Sequence, residues 1–219
     1  MQIRDLSKEN SLLNHFLKEI RDVNIQKDSM RFRRNVERIG EIIAYEISKT
    51  LPYKKEVVTT PLGTAAVNTL DTEVVIASIL RAGLPFHAGL LHYFDNAGNA
   101  FVSAFRHYTD ESHTNFDIHV EYIASPNLEG KTLILCDPML ATGGSMELSY
   151  EALKSKGKPK CIHIASIIAS QRAIDYIYNY FKGTETVVWT VAIDPELNDQ
   201  SYIIPGLGDA GDLAFGEKI

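Results

Sequence analysis

Apolar residues recur along the chain in two patterns, one with the period of a helix and one in short continuous runs. Between Arg31 and Ser48 they fall every three or four residues, which predicts a helix with one buried face. Runs rich in Val, Ile and aromatic residues predict buried strands instead. We expect such strands at 73–80, 100–105, 132–136, 161–169 and 186–193.

Two further helices are predicted between the later strands. One follows the small-residue turn at 143–145, and the other begins after Ser170, whose hydroxyl suits an N-cap. Strands that alternate with helices over 70–195 predict an α/β fold with a central, mainly parallel sheet flanked by helices. A helical part at 1–50 precedes this core, and we expect the whole chain, 1–219, to form one domain.

Three segments depart from this alternation. Residues 106–125 are polar with strand-like ends, which predicts a protruding hairpin arm, and Thr-Thr-Pro-Leu-Gly within 55–67 predicts a turn or an edge strand. The last segment, 202–219, begins rich in glycine and proline, so we expect neither a regular helix nor a strand there. An irregular segment of this kind can bring its backbone close to a ligand.

The composition narrows the class of protein. With 45% apolar and 23% charged residues the chain can bury a sizeable core, and a net charge of −6 argues against nonspecific binding of nucleic acid. No run reaches the roughly 18 apolar residues of a membrane span, and the N-terminus lacks an apolar signal core. Cys136 and Cys161 both lie in apolar runs that look like buried strands, so we expect them to pack as small apolar side chains. Cysteines of this kind fit a reducing compartment. We therefore expect a cytoplasmic protein without nucleic-acid or membrane partners.

The segment with the most chemical information runs from Leu133 to Ser145, where an apolar strand ends in Asp137 and a small-residue turn opens a helix. Main-chain N–H groups at such a turn bind anions together with the positive end of the helix. A carboxylate at the strand end can accept hydrogen bonds from vicinal sugar hydroxyls, so the pattern indicates a site for a ribose phosphate. The alternative is that Asp137 only caps the turn and the glycines only make it tight.

Two other patterns suggest chemistry that their context does not support. Gly206-Leu-Gly208-Asp-Ala-Gly211 has the spacing of a dinucleotide-binding loop, but no βαβ unit follows it so near the C-terminus. His107, His113 and His119 lie in the polar arm with no cysteine or paired acid beside them, so we do not expect them to bind metal.

Four segments of the chain match one known family. They are Ile-Leu-Arg-Ala-Gly-Leu at 79–84, Ser-Ala-Phe-Arg ending at Arg106, the loop Asp137–Ser145, and Tyr-Ile-Ile-Pro-Gly-Leu-Gly-Asp-Ala-Gly-Asp at 202–212. The loop resembles that of the type I phosphoribosyltransferases in general. The proline after Asp137 and the glycine-rich tail are similar to the uracil phosphoribosyltransferase branch.

This resemblance implies transfer of a 5-phosphoribosyl group from 5-phospho-α-D-ribose 1-diphosphate (the donor) to N1 of uracil, giving UMP and diphosphate. It also implies the fold of that family with a C-terminal base-binding hood, and catalytic roles for Arg81, Arg106 and Asp209. Uracil is expected against Ile203, Gly208, Asp209 and Ala210. The donor is expected against Arg81, Arg106, Asp137, Pro138, Met139, Leu140, Ala141, Thr142, Gly143, Gly144, Ser145 and Asp209.

The residue types suit this reaction. Loss of diphosphate leaves an electron-poor sugar carbon, so the main task is to neutralise the departing charge and to hold the base in line. Two arginines and Mg²⁺ are suited to it, and Mg²⁺ is expected through the substrate diphosphate rather than in a cage of protein ligands.

The resemblance also leaves partners and rivals to consider. It implies a homodimer or higher homo-oligomer, with the 106–125 arm as a contact, and it makes GTP a candidate effector. One rival is an enzyme of the same class that acts on another base. The other is a noncatalytic nucleotide sensor or RNA-binding regulator that kept the fold, which the retained Arg81, Arg106, Asp137 and Asp209 and the lack of a basic stripe oppose.

Overall fold

The computed structural model describes residues 1–108 and 116–217, and within these ranges the side chains at 104–108 and 116–120 are left out of the description. The helices are α1 (Leu12–Arg21), α2 (Ser29–Ser48), α3 (Gly83–Tyr93), α4 (Gly144–Leu153), α5 (Gln171–Tyr180) and α6 (Ala210–Phe215). The strands are β1 (Gln2–Asp5), β2 (Tyr53–Thr60), β3 (Gly63–Leu70), β4 (Val74–Ile79), β5 (Gly98–Tyr108), β6 (Phe116–Ala124), β7 (Thr132–Cys136), β8 (Met139–Leu140), β9 (Cys161–Ala165), β10 (Ile168–Ser170), β11 (Thr186–Thr190), β12 (Ala192–Asp194), β13 (Glu196–Leu197) and β14 (Ile203–Ile204).

The central sheet has the order β1-β11-β9-β7-β4-β5-β6, and within the described ranges its neighbours are parallel except for β5 and β6. Helices α1, α2 and α3 pack against one face, and α4 and α5 pack against the other. The predicted α/β fold with a mainly parallel sheet covered on both faces is therefore confirmed.

Strand β4 shows why the apolar runs form the centre of this sheet. All six of its residues are buried. Val75, Ala77 and Ile79 point to the face that α4 and α5 cover, whereas Val74 and Ile76 point to the face under α2 and α3. Because side chains alternate along a strand and both faces are covered, a continuous apolar run is required rather than an alternating one.

Three strands of the central sheet break and then continue in a smaller parallel sheet of order β12-β10-β8. The prediction of one continuous strand at 161–169 and another at 186–193 was therefore wrong, because each of these segments forms two strands. The break after β9 depends on the Pro138 carbonyl, which accepts the N–H groups of both Ile167 and Ile168 at 3.0 Å and so turns the chain. The smaller sheet lies at the carboxyl edge of the larger one.

The N-terminal part contains elements that the sequence patterns did not indicate. Strand β1 adds to the sheet in parallel with β11, although 1–50 was expected to be helical, and α1 precedes the predicted helix α2. Helix α3 was also missed because it is apolar on most sides and carries no helical period. Gly89 lets α3 approach α2 closely, since a Cβ there would lie 2.0 Å from the Glu37 carbonyl oxygen.

Two hairpins extend from this body. Strands β2 and β3 pair along their whole length around the predicted Thr-Thr-Pro-Leu-Gly turn, with nearly every side chain exposed. Strands β5 and β6 pair antiparallel as far as Tyr108 opposite Phe116, as the strand-like ends of the 106–125 arm predicted. Residues 109–115 of that arm lie outside the described residues.

The C-terminal segment is more regular than expected. Strand β14 pairs with β13, and α6 begins directly after Asp209, whose carboxylate accepts the Asp212 N–H at 3.0 Å. The expectation of no regular element over 202–219 was wrong, because its glycines and proline lie mostly before this cap, where they form a turn. None of the helices in the described ranges has the length and apolar content to cross a membrane.

Candidate active site

The predicted site residues meet at the carboxyl edge of the central sheet. After β4 the chain adds β5 on one side, and β7 then occupies the other side of β4. Ligands of open α/β sheets bind in the crevice outside such a switch point. Arg81 lies just after β4 and Asp137 follows β7 directly, so the topology brings together two segments that are distant in sequence.

The loop between β7 and α4 forms a cradle of the size of a phosphate group. Its cavity is about 60 Å³, and Gly143 at the N-terminus of α4 has a φ of +85°. The N-cap residue Gly143 has no side chain to cap α4, so the N–H groups of the first turn that follow Gly144 remain available for an anion. The lining residues are Asp137, Met139, Leu140, Ala141, Thr142, Gly143, Ser145 and Met146.

Gly143 is required at this turn for two reasons. Its positive φ is unfavourable for residues with a Cβ, and a Cβ placed there would lie 2.7 Å from Cδ1 of Tyr176 on α5. The Thr142 hydroxyl accepts the Gly144 N–H at 3.3 Å, which holds the turn in shape. Gly143 therefore serves the packing of α4 against α5 as well as the turn itself.

Asp137 lies beside the cradle in a setting that disfavours its charge. The pKa of its carboxyl is raised to about 7, mainly by burial and also by the negative charge of Asp209, while the Met139 N–H, which donates to Asp137 Oδ1 at 3.2 Å, works in the opposite direction. Near neutral pH the carboxyl can therefore either accept or donate a hydrogen bond. Both abilities suit the binding of sugar hydroxyls.

A second cavity of about 180 Å³ adjoins the cradle. The two cavities share Asp137, Met139 and Ala141 in their walls. The other wall of the second cavity comes from the C-terminal segment and includes every residue that the resemblance assigns to uracil. Its remaining lining residues are Ala82, Ser201, Tyr202, Ile203, Gly208, Asp209, Ala210 and Gly211.

Arg81 is held against the C-terminal helix. Its Nη2 donates to Asp212 Oδ1 at 3.0 Å and to the Gly216 carbonyl at 3.2 Å. Its Nε is buried and has no acceptor among the described residues. The peptide bond before Arg81 is cis. The guanidinium thus lies next to the second cavity, and of its three nitrogens only Nη2 has acceptors among the described residues.

Not every predicted site residue lines a cavity. Pro138 and Gly144 lie in the loop but face neither cavity. Arg106 belongs to β5, opposite Ile118 of β6, and its side chain lies outside the described residues. Two residues of the site were not predicted from the sequence, although both stand in the tail motif at 202–212. They are Tyr202, which lines the second cavity, and Asp212, the partner of Arg81.

The described residues of the site offer carboxylate ligands for a cation, but these ligands do not enclose it. Among the described residues, no group of three or more His, Cys, Asp and Glu side chains is placed to hold a metal ion. Asp137 and Asp209 interact electrostatically across the crevice. Carboxylate oxygens of this kind suit Mg²⁺ that is bound mainly through substrate phosphates and water.

Comparison with known proteins places the chain in one family along its length. The family model for uracil phosphoribosyltransferase matches residues 7–217. The curated uracil phosphoribosyltransferase of Porphyromonas gingivalis is 60% identical over 219 residues, which cover 100% of both chains. That of Methanothermobacter thermautotrophicus is 42% identical over 191 residues, covering 86% of this chain and 85% of the relative.

Solved structures show the same fold. The AQ2163 protein from Aquifex aeolicus superposes with a TM-score of 0.84 at 32% identity and covers 100% of both chains. The orotate phosphoribosyltransferase of Mycobacterium tuberculosis, solved with 5-phospho-α-D-ribosyl 1-diphosphate, has a TM-score of 0.53 at 11% identity, covering 87% of this chain and 95% of that one. The second likeness supports the fold alone.

Proposed function

The chain belongs to the uracil phosphoribosyltransferase family, and we propose that its two adjoining cavities bind the two substrates of that family's reaction. The enzyme transfers the 5-phosphoribosyl group of the donor to N1 of uracil and releases UMP and diphosphate. The observation that carries the assignment of the site is the shared wall. Asp137, Met139 and Ala141 border both cavities, so a sugar lying across them would join a phosphate in one to a base in the other.

The cradle is proposed to bind the 5-phosphate of the donor. Support comes from the N-terminus of α4, which its N-cap residue leaves without a side-chain cap, and from the close approach that Gly143 allows. The hydroxyls of Thr142 and Ser145 can donate further hydrogen bonds to the phosphate. Asp137 is proposed to bind the ribose hydroxyls, since its carboxyl lies between the cradle and the second cavity.

The second cavity is proposed to bind uracil against Ile203, Gly208, Asp209 and Ala210. Uracil presents alternating carbonyl and N–H groups, which main-chain donors and acceptors can read. A donor that faces O4 of uracil would face the exocyclic amine of cytosine, leaving both groups without acceptors. Recognition by the backbone of an irregular segment therefore accounts for a choice between two bases of the same size.

Arg81 and Arg106 are proposed to bind the diphosphate. The bond from C1 to the diphosphate breaks while the bond from C1 to N1 of uracil forms, so negative charge accumulates on the leaving group. Arg81 has a buried Nε–H without an acceptor among the described residues, and its Nη2 can exchange Asp212 for a phosphate oxygen. The guanidinium fork matches phosphate oxygens in geometry and charge.

Asp209 is the proposed acceptor of the proton that leaves N1. Its Oδ1 is engaged as the cap of α6, and its Oδ2 has no hydrogen-bond partner among the described residues. The Asp209→Asn variant keeps the cap and loses the base, so we expect turnover to fall by about 10²-fold or more. Undiminished turnover would remove Asp209 from catalysis.

Mg²⁺ is proposed to bind with the donor, near Asp137 and Asp209. When bound, it neutralises charge on the diphosphate. Removal of the ion by a chelator should abolish turnover, and added Mg²⁺ should restore it. Activity that persists in the chelator would contradict this requirement.

We also propose that the chain forms a homodimer or higher oligomer in the cytoplasm. The β2–β3 hairpin exposes apolar side chains, with Val57 at 72%, Leu62 at 101% and Val67 at 46% exposure, and a second copy would cover them. Cys136 and Cys161 are both free thiols, as a reducing compartment requires. GTP is a candidate effector, which its addition to the assay would test.

The experiment that tests the function is a product assay with four bases. The purified protein would be incubated with the donor, Mg²⁺ and labelled uracil, with cytosine, hypoxanthine and orotate in parallel. We expect a nucleotide product, UMP, from uracil alone. A nucleotide product from another base would show that the enzyme's base specificity differs from the one proposed. No product with any base, despite binding of the donor, would favour a noncatalytic nucleotide sensor.

A further inference from the structure

We propose that Arg21 and Asp194 are positioning residues for uracil, because they fix the turn at 205–208 that leads into the wall of the second cavity. Neither residue lines that cavity, so both act through the backbone of the turn. Together with Gln26 they are called the clamp below. The inference rests on the proposed binding of uracil in the second cavity.

The centre of the clamp is a paired salt bridge between α1 and β12. Arg21 Nη1 and Nη2 each donate to one oxygen of the Asp194 carboxylate at 2.8 Å, which is the bidentate geometry of a guanidinium and a carboxylate. The side chains are only 22% and 8% exposed, so water screens the pair weakly. Such a pair holds a more definite position than a surface ion pair does.

The same two side chains hold both backbone polar groups of one residue in the turn, Gly206. Asp194 Oδ2 accepts the Gly206 N–H at 2.9 Å, and Arg21 Nη1 donates to the Gly206 carbonyl at 2.9 Å. Gln26 Nε2 adds a bond to the Leu207 carbonyl at 3.3 Å. The turn is thus fixed from outside the cavity at three backbone groups of two neighbouring residues.

The fixed turn lies directly beside the residues that face the base. A Cβ on Gly206, which has a φ of +54°, would be 2.1 Å from the Ile203 carbonyl oxygen, so the turn is pressed against Ile203. Gly208 ends the turn, Asp209 and Ala210 follow it, and all three line the cavity. Because hydrogen bonds to a planar base tolerate little displacement, a shift of the turn would weaken its recognition.

The clamp also has a purely structural interpretation, in which it only ties the C-terminal segment to the body. The two interpretations differ in what they change. Loss of a tie lowers stability without preference between substrates. Loss of a positioning device raises the KM for uracil and reduces the preference for uracil over cytosine. The KM for the donor, whose 5-phosphate is proposed to bind at the N-terminus of α4, changes much less.

The test compares Arg21→Met, Arg21→Lys and Asp194→Asn with the parent protein in steady-state kinetics. Leu128→Ala is the control for lost stability, because Leu128 is only 1% exposed and its truncation removes buried apolar contacts. Leu128 precedes β7 and so lies at the amino edge of the sheet, away from the two cavities at the carboxyl edge. Thermal unfolding of every variant is recorded alongside. Lysine keeps the charge of Arg21 but cannot make the paired contact, so Arg21→Lys is the variant to rely on if Arg21→Met does not fold.

We expect Arg21→Met and Asp194→Asn to raise the KM for uracil about tenfold with a much smaller change in the KM for the donor, and Arg21→Lys to have a smaller effect on both. The ratio of uracil to cytosine turnover should fall with them and stay at the parent value in Leu128→Ala. A KM for uracil that stays at the parent value in all three clamp variants would overturn the inference. Failure of the parent protein to make UMP would overturn the proposed function itself, and the inference with it.

Discussion

Replacement of Asp137 by asparagine should stabilise the folded chain while it impairs the enzyme. The carboxyl has an ordinary pKa of 3.8, which burial, together with the nearby charge of Asp209, raises to about 7 in the folded protein. A carboxyl with a raised pKa binds its proton more tightly in the folded state than in the unfolded state. Between these two pKa values, stability therefore falls as pH rises, and above pH 7 the full penalty is present.

The size of the penalty follows from the two pKa values. Each pKa unit corresponds to about 1.4 kcal/mol, so the cost of ionising Asp137 in the folded chain is at most about 4 kcal/mol. The side chain keeps partial exposure, and solvent reduces this figure. We expect Asp137→Asn to gain about 1–3 kcal/mol at about pH 8 and no more than about 0.5 kcal/mol at about pH 4, where the carboxyl is protonated in the folded state and only partly ionised in the unfolded state.

Urea unfolding at the two pH values measures this difference directly. Asparagine keeps an oxygen that can accept the Met139 N–H, so the loop is expected to retain its shape. Asp199→Asn, which replaces an exposed carboxylate, is the matched control and should change stability little at either pH. The variant should also bind the donor more weakly. An Asp137→Asn protein that is no more stable than the parent at the higher pH would refute the reasoning.

Three further predictions concern Gly143, Arg81 and His163. Gly143→Ala should lose about 1–2 kcal/mol of stability in urea unfolding, because of the positive φ and the clash with Tyr176, and should raise the KM for the donor. Wild-type stability and donor binding in that variant would contradict the tight cradle. Arg81→Met should lower kcat/KM for the donor by about 10²-fold, and an unchanged value would remove Arg81 from diphosphate binding. Burial lowers the pKa of His163 from 6.5 to about 4, so the unfolded chain binds the extra proton and stability should fall as pH drops through that window by up to about 3 kcal/mol. His163→Gln should flatten this fall in urea unfolding between about pH 7 and 4.5, and an equally steep fall would contradict the assignment.

The parts of the site that could be predicted from the sequence are the local ones. The turn at 141–145 needs glycine for its positive φ, and this requirement can be read from a few neighbouring positions in the chain. Asp137 ends a strand that a short apolar run identifies. Ser170 was expected to cap a helix, and its hydroxyl does accept the Ala173 N–H. Each of these features is fixed by neighbours in the chain.

The parts that could not be predicted depend on partners far apart in sequence. Arg81 and Asp212 are separated by 131 residues, and Arg21 and Asp194 by 173, so no spacing relates them. Strand β1 is short and exposed and was missed because its pairing with β11 comes from the other end of the chain. Helix α6 was missed because the glycines before Asp209 masked a cap that depends on one side chain.

The most direct test of the account is a crystal structure of the protein with UMP. The proposed site predicts the phosphate on the main-chain N–H groups of 141–145, the ribose hydroxyls on Asp137, and the base against Gly208 and Ala210. A phosphate bound elsewhere, or a base outside the cavity between Asp137 and the C-terminal segment, would contradict the proposal that two adjoining cavities bind the two halves of the nucleotide.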